Sequence, residues 1–198
     1  MKKTIYLLRH GEKEKKLFNP GLSIIGKLQA EKTGIFLVNK NIEIIFSSPS
    51  LRTKETAFII KKYIKKPIKI INNLKERIDF DKRYVKDYLE YTKLCEISSL
   101  KRDYLLPNKE SSIKAGLRFK KVVDLIINSK YKSVLIISHG GVIADYLRNE
   151  FGDEYLNSKD YFFSKYKVVR PCSITQILID DQIKKISLID FNNIIHLN

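Results

Sequence analysis

The stretch Thr4-Ile5-Tyr6-Leu7-Leu8-Arg9-His10-Gly11 is an apolar run that ends in a cation, an imidazole and a glycine. Its part from Thr4 to Leu8 is too continuous for a strand with one face in water. We therefore predict a strand in a sheet that is covered on both faces. Comparable runs predict five further strands, at 42–46, 68–71, 133–138, 173–179 and 184–190.

Between these runs, apolar side chains repeat at helical spacing and predict four helices. Three of them cover residues 23–39, 50–65 and 111–128, and the fourth begins after Gly140-Gly141. In the first helix, the apolar stripe consists of Ile24, Leu28, Ile35 and Val38. An amphipathic helix of a globular protein turns such a stripe toward the core, so we expect this face to pack on the sheet.

Strands that alternate with helices of this length are joined by right-handed crossovers, and such strands are parallel. The predicted fold class is therefore α/β, a three-layer sandwich with a mostly parallel central sheet and helices on both faces. The last two runs, separated by Asp181-Gln182, resemble a hairpin, which predicts an antiparallel edge strand. Because no Gly/Ser-rich or Pro-rich linker interrupts the 198 residues, we expect a single domain over residues 1–198.

The chain is basic, with 38 Lys and Arg against 22 Asp and Glu and a formal charge of +16. Clustered cations attract nucleic acid or anionic membranes. Here the lysines are spread along the chain, without the arginine cluster, Cys/His finger or aromatic signature of a nucleic-acid-binding protein. We expect neither nucleic acid nor membrane as a partner, and a small anionic substrate instead.

Cysteine and hydropathy bear on where the protein works. Cys95 and Cys172 stand far apart, and a small secreted scaffold normally carries more cysteines. The expected location is therefore the reducing cytoplasm. No apolar run approaches the roughly 18 residues that a transmembrane helix needs. The sequence leaves the oligomeric state open.

Polar side chains follow four of the predicted strands where each strand ends. Arg9 and His10 follow the first strand, Arg52 the second, Glu76 the third and His139 the fourth. In open α/β sheets, ligands bind just beyond the carboxyl ends of the strands. We therefore expect these five side chains to meet at one edge of the sheet.

The five side chains have a coherent use in phosphoryl transfer. Two arginines hold phosphoryl oxygens by charge-assisted hydrogen bonds and reduce the repulsion of a nucleophile. A neutral imidazole attacks phosphorus, a second histidine donates to the transferring oxygens, and a carboxylic acid protonates the leaving oxygen. Each residue alone is more often structural, Glu76 above all, so the hypothesis depends on the whole set.

One segment, residues 80–106, is rich in tyrosine and charge, with Tyr84, Tyr88, Tyr91 and Cys95 at helical spacing. An ordinary amphipathic helix accounts for this spacing. A lid or wall beside the site is an equal alternative, since insertions between strands often shape the substrate pocket. We place this possible substrate-selecting insertion at about residues 77–110.

Six stretches of the sequence occur in the same order as the motifs of a known family. They cover residues 5–12, 22–30, 47–57, 74–77, 110–118 and 134–143, and they include Leu8-Arg9-His10-Gly11 and Ser138-His139-Gly140-Gly141. In them the chain resembles the histidine phosphatase superfamily, in its phosphoglycerate mutase-like branch. The resemblance implies that His10 becomes a phosphohistidine and that Glu76 is the proton donor. It also implies that Arg9, Arg52 and His139 form the phosphate pocket. No metal and no other cofactor is implied, since arginines supply the positive charge.

The chain departs from the family pattern at two places. Many members carry, after the first motif, an Asn that contacts phosphate, whereas this chain has Lys16 there and Asn19 in a different register. The Gly-rich, Trp-containing stretch that often follows the acid is also absent, and the sequence there is Ile78-Asp79-Phe80. Both differences bear on the choice of substrate more than on the core chemistry.

The leading hypothesis is a metal-independent phosphatase that hydrolyses phosphomonoesters of small metabolites and, less favoured, of phosphoproteins. A phosphoglycerate mutase uses the same phosphohistidine, but such enzymes are usually longer than 198 residues. A non-catalytic phospho-ligand binding protein is a third alternative, and it is disfavoured because the whole residue set is present. A metal held by the two histidines is a minor alternative, since such sites usually add carboxylates or cysteines at close spacing.

Overall fold

A computed structural model describes residues 2–16, 18–78, 85–105, 110–157 and 169–198. Its strands are β1 (Lys2–Arg9), β2 (Ile44–Ser47), β3 (Ile68–Ile70), β4 (Ser133–Ser138), β5 (Ile174–Asp180) and β6 (Lys185–Asn193). They form a six-stranded sheet in the order β3-β2-β4-β1-β5-β6. All six predicted strands are thus present, with ends that differ by a few residues.

The four strands on one side of the sheet, β3, β2, β4 and β1, are parallel to one another. Strand β5 runs antiparallel to β1, and β6 runs antiparallel to β5. The mostly parallel sheet with an antiparallel edge is therefore confirmed. The pairing of β1 with β4 continues to Arg9 opposite Ser138, so both strands end at the same level.

Six α-helices are described: α1 (Ile24–Leu37), α2 (Leu51–Ile64), α3 (Tyr88–Leu100), α4 (Ser112–Ile127), α5 (Gly140–Phe151) and α6 (Asp153–Asn157). Four of them are the predicted helices. Helix α3 lies in the tyrosine-rich segment, while Tyr84 of that segment falls outside the described residues. None of the helices described here has the length and apolar character that crossing a membrane requires.

The sheet separates two cores, because successive side chains of a strand point to opposite faces. Ile5 and Leu7 of β1 belong to one cluster, together with buried residues of α4 and α5. Tyr6 and Leu8 belong to the other, together with buried residues of α1 and α2. Helices therefore cover both faces, which confirms the three-layer prediction.

The apolar stripe predicted for α1 does not face the core, and that expectation was wrong. Ile24 is 80% exposed, and Leu28, Ile35 and Val38 are also exposed. The buried face instead consists of Gly26, Ala30, Thr33, Gly34 and Leu37. The physical reason is close packing: a Cβ atom on Gly34 would lie 2.5 Å from Cδ2 of Tyr63. Small residues are needed there, and a hydropathy pattern does not detect them.

Candidate active site

The carboxyl ends of β1, β2 and β4 fix the backbone of the loops that carry the predicted site residues. The His10 N–H donates to the Ser138 carbonyl at 3.0 Å, and the Ser48 N–H donates to the Ile137 carbonyl at 3.1 Å. The hydrogen-bond ladder of the sheet thus extends beyond the strands. As a result, His10, Arg52 and His139 come together, although they are far apart in the sequence.

His10 has one defined tautomer. Its Nδ1 lies 2.7 Å from the Gly11 carbonyl oxygen, which only accepts hydrogen bonds, so Nδ1 carries the proton. The lone pair on Nε2 accepts a hydrogen bond from Arg52 Nε at 3.1 Å. Burial, together with the charges of Arg9 and Arg52, holds the pKa of His10 well below its ordinary value. The ring is therefore neutral and has a lone pair that can act as a nucleophile.

His139 lies beside His10, with their ring centroids 5.2 Å apart and one ring edge-on to the other. Burial, and then the charge of Arg52, keeps its pKa well below the ordinary value, so this ring is neutral as well. Its Nε2 lies 2.8 Å from the hydroxyl of Ser48. Its Nδ1 is buried and has no hydrogen-bond partner among the described residues. Ser48 had no predicted role, although it stands in the turn after β2.

Arg9 connects the end of β1, which carries His10, with the chain before β5. Its Nη1 donates to the Val169 carbonyl at 2.6 Å. Burial lowers its pKa, and the carboxylate of Glu76 opposes that shift. The side chain lies against Gly140, where an added Cβ would be 3.2 Å from the Arg9 Cδ atom. A glycine after His139 therefore leaves room for this guanidinium.

Glu76 joins the site at the N-terminus of α5. Its carboxylate accepts hydrogen bonds from the backbone N–H groups of Gly141 at 3.0 Å, Val142 at 2.9 Å and Arg77 at 2.9 Å. These three backbone donors fix the position of the carboxyl group at the helix N-terminus. A Cβ on Gly141 would lie 2.7 Å from Oε1 of Glu76, which explains the second glycine of the pair.

The loop before Glu76 is held by Arg118, whose guanidinium donates to the carbonyl oxygens of Asn73 at 2.5 Å and Lys75 at 3.0 Å. Arg118 also forms an ion pair with Glu110. The Ser138 hydroxyl donates to the Leu74 carbonyl at 2.7 Å. The sequence places Arg118 and Glu110 in a family motif without giving them a role, and the structure shows that they anchor this loop.

A cavity of about 140 Å³ lies beside Glu76. Its lining consists of Arg9, Glu76, Arg77, Ile78, Tyr91, Cys95, Ser99, Gly140 and Gly141. Three of these residues belong to α3, so this helix is one side of the cavity. Burial raises the pKa of the Cys95 thiol to about 11, which makes it a poor nucleophile.

A buried ion pair between Arg77 and Asp145 lies next to the cavity. Arg77 Nη1 lies 2.6 Å from both carboxylate oxygens of Asp145, and Arg77 Nη2 donates to the Ser99 hydroxyl at 3.0 Å. Burial raises the pKa of Asp145 to about 6, against the opposing effect of Arg77. The pair therefore connects α3 and α5 just behind Glu76.

The two residues that depart from the family pattern are placed differently. Lys16 is exposed and pairs with Glu14 at 3.0 Å. The Asn19 side chain accepts a hydrogen bond from the Leu51 N–H at 2.8 Å, in the first turn of the helix that carries Arg52. A phosphate contact by either residue stays a prediction. Within the described part of the chain, no group of three or more His, Cys, Asp or Glu is placed to hold a metal.

Comparison with known proteins assigns the chain to a family. The sequence profile of the histidine phosphatase superfamily (branch 1) matches residues 5–192. The chain belongs to the histidine phosphatase superfamily. It is 30% identical over 157 residues to the uncharacterized phosphatase PhoE of Bacillus subtilis, and the alignment covers 71% of this chain and 73% of that protein.

Two solved structures of named phosphatases share the fold. The mycobacterial glucosyl-3-phosphoglycerate phosphatase in complex with inorganic phosphate gives a TM-score of 0.77 at 18% identity, covering 99% of this chain and 100% of that one. The Entamoeba histolytica phosphoserine phosphatase in complex with phosphoserine gives 0.71 at 22% identity, covering 99% and 100%. Membership of the histidine phosphatase superfamily confirms the predicted activity, hydrolysis of phosphoric monoesters.

Proposed function

We propose that this phosphatase acts on small phosphorylated metabolites through a phosphohistidine formed on Nε2 of His10. The orientation of the His10 ring carries the proposal. Its Nδ1 proton is held by the Gly11 carbonyl at 2.7 Å, which leaves the Nε2 lone pair toward Arg52. A neutral imidazole held in this way is a competent nucleophile for phosphorus.

In the first step, the phosphate dianion replaces His10 Nε2 as the hydrogen-bond acceptor of Arg52. Nε2 then attacks phosphorus, and the ester P–O bond breaks as the N–P bond forms. Arg9, Arg52 and His139 stabilise the charge on the phosphoryl oxygens. Glu76 gives its proton to the leaving oxygen, so the product leaves as an alcohol.

In the second step, the Glu76 carboxylate takes a proton from a water molecule as the water oxygen attacks phosphorus. The N–P bond breaks, inorganic phosphate forms, and His10 returns to its neutral state. Glu76 regains the proton that the next cycle requires. No metal is needed, because the arginines supply the positive charge.

The cavity beside Glu76 is the place for the leaving group. Its volume of about 140 Å³ favours a small organic group over a folded phosphoprotein. The similar structures fit this scale, since their names give glucosyl-3-phosphoglycerate and phosphoserine as the compounds that those proteins act on or bind. We place substrate selection in the segment around 77–110 of a single domain, because α3 forms one side of the cavity. Two cysteines without a disulfide, Cys95 and Cys172, support a cytoplasmic location.

The test is release of phosphate from p-nitrophenyl phosphate in the presence of a chelator. The wild-type protein should keep its full rate, and His10→Ala should lose about a thousandfold or more, since a nucleophile has no substitute. His196→Ala, at a histidine outside the site, is the matched control and should stay active. A phosphoprotein trapped from labelled substrate should be acid-labile and base-stable. Activity that survives His10→Ala would refute the nucleophile.

The mutase alternative has its own assay. With 3-phosphoglycerate as substrate, release of inorganic phosphate should exceed formation of the 2-isomer. Isomerisation that is faster than phosphate release would show that the phosphate is transferred to a sugar-acid hydroxyl instead of water. A binding protein without catalysis would give neither product.

A further inference from the structure

We infer that Ser48 is a positioning residue that fixes the proton of His139 on Nδ1. Its hydroxyl donates to Nε2 of His139, so the N–H group of the ring is left to bind a phosphoryl oxygen. The role of His139 as a donor then depends on a serine that does not itself touch the substrate.

The contact is short and rigid. Ser48 Oγ lies 2.8 Å from His139 Nε2, and both residues are fully buried. The backbone of Ser48 is held by the Ile137 carbonyl on its N–H and by the Thr53 hydroxyl, which donates to its carbonyl at 2.8 Å. The hydroxyl therefore stays beside Nε2.

The direction of this hydrogen bond follows from counting donors and acceptors. The only other contact of Ser48 Oγ among the described residues is the Ser50 N–H at 3.5 Å, which is itself a donor. The hydroxyl hydrogen thus has Nε2 as its one acceptor in the described part of the chain. If His139 donated instead, both the hydroxyl hydrogen and the Nδ1 lone pair would be buried without partners. With Ser48 as donor, only the Nδ1–H is left, and a buried unpaired group is unfavourable.

The remaining N–H has no acceptor among the described residues, and the phosphoryl oxygen of the proposed mechanism supplies one. Burial and the charges of Arg52 and Arg9 lower the pKa of His139, so the ring is neutral and has one N–H. A lone pair toward a phosphoryl oxygen would repel it, whereas an N–H donates to it. The location of one proton therefore decides whether His139 favours or opposes phosphate binding.

The tautomer can be measured without any substrate. In protein with ¹⁵N-labelled histidine, long-range ¹H–¹⁵N correlations of His139 should show a protonated Nδ1 and an unprotonated Nε2. His139→Gln identifies the signals by their loss. Ser48→Ala should move the ring toward the Nε2–H form, while Ser47→Ala should not. Ser47→Ala is the control, because Ser47 is adjacent and fully buried, and its hydroxyl donates to the Ser48 carbonyl instead of the His139 ring.

The kinetic consequence depends on the proposed phosphohistidine chemistry. Ser48→Ala should lower kcat about tenfold with a smaller change in KM. The tautomer of His139 that donates in the transition state is then populated less often, which costs less than the complete loss of such a donor. Affinity for vanadate should fall more than affinity for inorganic phosphate. Ser48→Cys, a weak donor of similar size, should be intermediate and replaces the alanine variant if that variant does not fold.

Several results would overturn the inference. A wild-type His139 with its proton on Nε2, or an unchanged tautomer in Ser48→Ala, would remove the role of the serine. An equal loss of activity in Ser47→Ala would show that the effect comes from local packing or the Ser48 backbone and not from the hydroxyl on Nε2. Failure of the proposed function is separate, since activity retained by His10→Ala would leave the tautomer measurement untouched.

Discussion

Two regions of the site are built in different ways. The phosphate cradle, which we define as Arg9, His10, Arg52 and His139, stands at the ends of buried parallel strands, and the sheet ladder continues into its loops. The leaving-group wall, defined as Glu76 with Tyr91, Cys95 and Ser99 of α3, is held by contacts between elements distant in the sequence. In the proposed mechanism, every phosphomonoester presents the same phosphate to the cradle, while the wall contacts the part that differs between substrates.

This difference separates two kinds of functional effect. A change in the cradle should reduce activity toward all esters by a similar factor, because each substrate has the same phosphoryl group. The effect of a change in the wall should depend on the leaving group, since the need for a proton and the fit to the cavity both vary with the leaving group. Pairs of substrates with good and poor leaving groups therefore test whether the two regions act independently.

The largest effect is expected in the cradle, from Arg52→Met. The Arg52 guanidinium contacts His10 at 3.1 Å, and its loss removes the donor that we propose for the phosphoryl oxygens. We expect kcat/KM to fall by about 10²- to 10³-fold, as for other preorganised donors, and by the same factor for p-nitrophenyl phosphate and an alkyl phosphate. Lys61→Met, an exposed site on the same helix, is the control. A loss that differed strongly between the two esters would contradict the separation.

The next effect belongs to the wall, from Glu76→Gln. The amide keeps the shape of the side chain but cannot supply a proton. An alkyl phosphate should lose about 10²-fold or more in kcat/KM, whereas the pre-steady-state burst of p-nitrophenol should remain, since that leaving group needs no proton. Stopped-flow measurements with both esters separate these cases. If both fall equally, the proton comes from another group.

The sequence predicted which strand ends come together better than it predicted the contacts that support them, for a physical reason. A continuous apolar run such as 133–138 predicts a buried strand, and a parallel sheet brings strand ends to one edge, so the pattern of strands alone places His10 and His139 together. Ser48 and Arg118 could not be assigned roles in this way. Their roles depend on which nitrogen or carbonyl they contact, and no periodicity encodes that. The buried face of α1 was missed for a similar reason, because close packing selected small residues such as Gly34.

The smallest effect should come from Arg118→Met, because Arg118 does not contact the wall residues and acts on Glu76 only through the loop before it. Arg118 binds the carbonyl oxygens of Asn73 and Lys75, so its loss leaves the Glu76 loop held by the Ser138 hydroxyl and the backbone of α5. We expect about a tenfold loss with an alkyl phosphate and little change in the p-nitrophenol burst, because misplacing an acid slows only the step that uses it. Glu110→Gln is the matched variant: it removes the ion-pair partner but leaves both carbonyl contacts, so its loss should be smaller. An equal loss with both esters in Arg118→Met would mean that this arginine supports the cradle as well, and the two regions would then be one mechanical unit.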